Sequence, residues 1–171
     1  ADWIADSKLA EASPLALDAA TGGPVIDQAM RTSLPGVFAA GNLLHPVEAS
    51  GIAALEGERA GAFATSYLAD NLPDWEDATP IGIDAPIRYL VPQRWAPYLD
   101  EPDTAPGLRA CAQLSEDRSG RFVLRKGEAV LWQGRTGMLR AGRQLRPNLD
   151  ALAAAGSCWG SAPILGVDAA R

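Results

Sequence analysis

The residues best placed to do chemistry stand close together: Gly41-Asn42, the single histidine His45, and the run Gly51-Ile52-Ala53. A glycine closing a short apolar segment lets the backbone turn sharply or approach a ligand closely. A helix beginning near Ser50 would present the unpaired N–H groups of Gly51, Ile52 and Ala53 at its positive dipole end, a place for an anionic or electron-rich ligand. His45 lies in the intervening loop, where an imidazole can act as base or as electrostatic partner to a substrate amine. As a loop residue before Pro46 it can equally be a surface histidine without chemistry, and Glu48 carries the same two readings. No other constellation competes, for the chain has no nucleophile elbow with a Ser-His-Asp set, no His-x-x-x-His pair and no P-loop. Cys111 and Cys158 form no Cys-x-x-Cys pair and read as small buried thiols rather than a redox or zinc site.

Elements must hold these residues in place. Leu34-Pro35-Gly36 signals a turn, Pro presetting φ and Gly free to take φ > 0. Val37-Phe38-Ala39-Ala40 is an apolar run of strand length, short enough to be buried on both faces. Upstream, Leu15–Leu17 and Pro24–Asp27 read as short strands joined by a turn at Gly22-Gly23. Downstream, Ile52, Leu55, Ala60, Phe63, Ala64 and Tyr67 share one face of a helix spanning about Gly51–Leu68. Gly57 and Gly61, four apart, predict close packing of that helix against a neighbour.

Thr32-Ser33-Leu34-Pro35-Gly36-Val37-Phe38-Ala39-Ala40-Gly41-Asn42, followed by Gly57-Glu58-Arg59-Ala60-Gly61, resembles the second flavin-binding motif of the FAD-dependent pyridine nucleotide-disulfide oxidoreductase superfamily. The similarity is to the branch without a redox disulfide, which includes hydrogen cyanide synthase and opine or sarcosine oxidase-like subunits, and it covers about Leu15–Leu68. It implies that Gly41, Asn42 and the Gly51–Ala53 amides face FAD, the amides beside the pyrimidine edge of the ring. His45 is then the weak catalytic candidate, and electrons pass between flavin and an amine-type or nicotinamide donor. The family usually has Asp after the glycine; Asn42 keeps hydrogen-bonding capacity without the charge. The Gly-x-Gly-x-x-Gly turn that grips FAD pyrophosphate, and a second one for NAD(P), do not occur in the chain. The resemblance therefore implies an N-terminal FAD/NAD(P)-binding half, upstream or in a partner subunit. The alternative is a non-catalytic structural or subunit-interface module that retains the motif as a relic of the fold.

The expected fold class is α+β: the C-terminal piece of a Rossmann-like FAD-binding domain over residues 1–70, a linker over 71–84, and a small mostly-β, sandwich-like domain over 85–171. Of the 171 residues, 47% are hydrophobic and 21% charged, an ordinary globular composition. Residues 1–80 carry 12 acidic and 3 basic side chains and residues 81–171 carry 9 and 12, which supports a boundary between them. The acidic part argues against nucleic acid as partner. No apolar run approaches membrane-spanning length, so a cytoplasmic protein without a membrane partner is expected. In the second part, Ile87–Val91, Leu108–Leu114, Phe122–Arg125, Ala129–Trp132, Met138–Leu145 and Ile164–Val167 are strand candidates in meander order, with a short helix within Pro147–Ala155. Trp95, Trp132 and Trp159 read as core anchors or as a ligand groove. Arg140, Arg143 and Arg146 read as solvated or as a phosphate site.

Overall fold

The computed structural model describes residues 7–45, 50–97, 99–154 and 162–170. Glu48, Cys158 and Trp159 lie outside them. The architecture is mixed α+β, with small sheets and few helices among the described residues.

The first helix, α1 (Lys8–Glu11), is one turn long, and Ser7 Oγ donates to Glu11 Oε1 at 2.6 Å. The glycine-rich turn then folds as read: Leu17 bridges Pro24 antiparallel, Asp18 N donates to Gly23 O, and Gly22 takes φ 76°. A Cβ on Gly23 would lie 2.3 Å from the Leu43 carbonyl oxygen, so glycine is required for that close approach.

The segment 37–40 departs from expectation. It is not a strand buried on both faces but one arm of a hairpin, with a single antiparallel bridge, Arg31 to Phe38, and Val37 39% exposed. The turn at Leu34–Gly36 folds the arm back on Met30–Thr32, whose backbone takes up its hydrogen bonds, Ala39 N to Met30 O and Thr32 N to Val37 O. Gly41–Leu43 continues as a 3-10 turn, and α2 (Ser50–Leu68) follows.

The segment 71–84, expected as a linker, contains a 3-10 turn at Trp75–Asp77 and two short strands, β1 (Thr79–Pro80) and β2 (Gly82–Ile83). β3 (Ile87–Val91) pairs antiparallel with β5 (Cys111–Leu114), and β4 (Arg94–Trp95) pairs with β1. The largest sheet holds β6 (Arg118–Lys126), β7 (Ala129–Gln133), β8 (Gly137–Leu139) and β9 (Pro163–Ala169) together with β2. Its order is not a meander, because β9 inserts between β2, its parallel partner, and β6, its antiparallel partner over seven register pairs. The helix α3 (Ala151–Ala154) precedes β9.

Two apolar clusters hold the molecule. One joins Ile87 and Leu90 of β3, Ala112 and Leu114 of β5, Phe122 and Leu124 of β6 and Leu165 of β9, so the β3–β5 ribbon packs on the large sheet. Trp95 is buried in this cluster and Trp132 packs against it, the core-anchor role. The other joins Ile26, Met30, Ala39 and Leu44 to Tyr89, Val91 and Cys111. Residues from both sides of the 71–84 segment therefore share one core.

Candidate functional site

The corner formed by Gly41, the 3-10 turn and α2 is built around a buried carboxylate. Glu56, on the second turn of α2, is 6% exposed. Its Oε2 accepts the Gly41 N–H at 2.8 Å, and its Oε1 lies 3.4 Å from His45 Nε2. The other ring nitrogen of His45, Nδ1, lies 3.3 Å from Gln144 Nε2. Neutral imidazole with its proton on Nε2 satisfies both neighbours, since Nε2 then donates to the carboxylate while Nδ1 accepts from the amide.

Gly41 adopts φ 73°, the left-handed region that glycine enters without a Cβ penalty. The space beside it is not full, since a Cβ there would meet Ala53 Cβ at 3.5 Å. The glycine is thus required by backbone conformation and not by crowding. Its N–H is already held by Glu56, so its part in the corner is to set chain direction.

His45 is fully buried. It occupies neither the solvent-facing mouth where a base would meet substrate nor the position of a plain surface histidine. The ring ties α2 to the C-terminal part of the chain through Gln144. Asn42 and Gly51 are exposed, and Ile52 and Ala53 half-buried, so these four stand at the outer edge of the corner. Among the described residues nothing lies within 4 Å of a Cβ placed on Gly51.

The buried stripe of α2 is Glu56, Arg59 and Phe63, at spacings of three and four. Arg59 is 2% exposed; its Nε donates to Gln28 O at 2.7 Å, its Nη1 to Pro106 O at 2.7 Å and its Nη2 to Glu101 Oε1 at 2.5 Å. The guanidinium also lies over the Phe63 ring, 4.9 Å from the centroid. Gln28 in turn exchanges two hydrogen bonds with the Ala96 backbone. Gly57 and Gly61, expected to pack against a neighbour, are exposed with nothing within 4 Å of a Cβ on either. They fall opposite the stripe, because the polar pair Glu56 and Arg59 sets which face turns inward.

Sequence reasoning missed Glu56, Arg59, Gln28 and Gln144. The available signal was the Glu56-x-x-Arg59-x-x-x-Phe63 spacing, which lies on one helix face. Long-range partners such as Gln144 leave no local signal.

Asp27 is the other buried acid among the described residues. It accepts Arg31 Nε at 2.8 Å and the Ala29 and Arg31 N–H groups, with Arg31 Nη2 at 2.6 Å. Burial pushes its carboxyl above the ordinary carboxylate range, against the opposing pull of the Arg31 guanidinium. Of the expected arginine group, Arg140 pairs with Asp117 and Arg146 donates to Gln144. Cys111 is buried in the core. Among the described residues no group of three or more His, Cys, Asp and Glu side chains could hold a metal ion, and no helix is long and apolar enough to cross a membrane. Comparison with known protein families, with curated proteins and with solved structures finds no match.

Proposed function

We propose that this chain contributes the second flavin-facing segment of an FAD-dependent oxidoreductase. The observation that carries the reading is the corner itself: a hairpin arm ends at Gly41 with φ 73°, its N–H is clamped by Glu56, and Asn42 is exposed, as are Ser50 and Gly51 at the start of α2. Asn42 and the N–H groups of Gly51, Ile52 and Ala53 are the donors that would hold an electron-rich ring edge or the ribityl chain. These neutral donors, with no described residue within 4 Å of a Cβ on Gly51, fit such a group. FAD, when bound, supplies the acceptor of a hydride from an amine-type or nicotinamide donor. The protein's share is position and electrostatics. His45 and Glu56 act behind the corner as positioning residues, since neither reaches the surface. In this reading the glycine turn for the pyrophosphate, in the Rossmann-like part of the FAD-binding domain, comes from outside these 171 residues.

The test expresses the chain with the coding sequence upstream of Ala1 or with a partner subunit, and records flavin absorbance. Retained flavin is the expected result, and Asn42→Ala should weaken its retention while leaving the fold intact by circular dichroism. Product purified without flavin, and unable to take it up, overturns the proposal. A second reading, a non-catalytic subunit-interface module, is favoured by the outward face of α2, where Gly57 and Gly61 are exposed and Leu68 is 85% exposed. A stable complex that stays flavin-free would select it.

A further inference from the structure

Away from the Gly41 corner, the large sheet ends on one side at β7. Among the described residues β7 pairs with β6, and no strand or bridge meets its other edge. An open edge is a template for another strand unless charge, proline or a covering segment protects it. Between Ala129 and Gln133 the strand holds neither proline nor charge, and Val130 is 46% exposed.

Which backbone groups face outward follows from the ladder. Gly134 N–H donates to Phe122 O at 2.9 Å, so Gln133, one residue back, turns its own N–H and C=O away from β6. At the other end Lys126 and Ala129 close the two-residue loop Gly127-Glu128, and in such a hairpin the closing pair is the hydrogen-bonded one. Val130 therefore faces away as well. A regular strand presents its outward groups two residues apart. Here they stand three apart, because the pairing shifts by one residue between Leu124 and Arg125 and leaves Leu131 as the extra residue of a bulge. Leu131 and its neighbour Trp132, both half-buried, pack against the core cluster that holds Ile87, Leu124 and Leu165.

We propose that β7 pairs antiparallel with β7 of a second copy of this chain, about a two-fold axis between Leu131 and Trp132. That register sets Val130 of each copy opposite Gln133 of the other, so the outward backbone groups meet in both halves of the contact. A straight strand from another protein matches one of these positions and misses the other, whereas a copy of β7 carries the same three-residue spacing. The bulge, elsewhere a guard of sheet edges, here selects the partner. The same register brings Leu131 beside the other copy's Trp132, which continues the core cluster across the axis. It also sets Glu128 opposite Arg135; both are exposed, and neither takes part in an ion pair among the described residues. A slip of one residue loses the charge pairing and the backbone match together. A two-fold contact of this kind uses up the edge, so assembly stops at the dimer. The contact is independent of flavin, so it stands or falls separately from the oxidoreductase reading.

The test is sedimentation velocity of the chain from about 10 μM to about 1 mM, where monomer should pass to dimer, the range expected of a contact this small. Hydrogen exchange followed by NMR should slow at the Val130 and Gln133 amides as the dimer forms. Gln133→Pro removes an outward N–H that β6 does not use, and should leave monomer at every concentration. Glu128→Arg and Arg135→Glu, both at exposed positions, should each weaken association by about fivefold or more. Mixing these two variants should restore it, because each arginine then faces a glutamate, and this pair decides the matter if the proline variant does not fold. The proposal is overturned if the chain stays monomeric at the highest concentration, grows beyond a dimer, or dimerises without protecting the two amides. It is overturned equally if folded Gln133→Pro still dimerises, or if the charge variants associate as the parent does or fail to rejoin on mixing.

Discussion

At the residue scale, a few buried polar side chains are costly to disturb, because each holds partners that would be left buried without it. Glu56 is the clearest, because one carboxylate serves both the Gly41 N–H and His45. Glu56→Ala should cost about 1–3 kcal/mol by leaving buried donors unpaired, read from urea unfolding midpoints, and Glu56→Gln should cost less because an amide oxygen can still accept from Gly41. Asp27 makes stability depend on pH. Its folded carboxyl holds a proton more tightly than the unfolded one, so the folded state binds more protons between the two values. Its contribution is greatest below the ordinary Asp value and is lost as pH rises through the raised folded value. Asp27→Asn should flatten that part of a melting-temperature profile, while lowering overall stability by leaving Arg31 buried without its counter-charge. The sequence marked Gly41, Asn42 and His45 as special from type and position. It could not mark His45 as buried, because the groups that enclose it include Gln144, far along the chain.

At the element scale, α2 carries most of what distinguishes the corner. Gly41→Ala should destabilise by roughly 1–2 kcal/mol, since the φ of 73° penalises any Cβ even where there is room for one. Gly57→Ala and Gly61→Ala should do the opposite. Both sites are exposed within a helix with open space around them, so each substitution should raise stability by up to about 1 kcal/mol. Thermal unfolding of the single variants checks this, and a loss of stability would place an unseen contact on that face. Helix and hairpin positions were legible where the signal is local: the Gly22-Gly23 turn, α2, and the β6–β7 hairpin over Arg118–Gln133. The face that α2 buries was not legible from apolar periodicity alone. Burying Arg59 is repaid by Glu101 and by the Gln28 and Pro106 carbonyl groups, partners supplied by other elements.

At the scale of the whole molecule, the shared cluster of Ile26, Met30 and Leu44 with Tyr89, Val91 and Cys111 ties the N-terminal hairpins to the β3–β5 ribbon. Unfolding followed by far-UV circular dichroism and by tryptophan fluorescence should therefore give one coincident transition. Val91→Ala should shift both probes together, and two separate transitions would contradict the shared core. The amino-acid sequence by itself determined composition, the turns, α2, and most of the strands, because turn chemistry and hydrophobic periodicity act over a few neighbouring residues. Tertiary structure alone decided that β9 inserts between β2 and β6, that 71–84 supplies strands, and that Glu56 and His45 lie beneath Gly41 and not at a solvent-facing mouth. Those outcomes depend on pairing and desolvation between residues distant in the chain, whose free energy exists only once the elements are packed together.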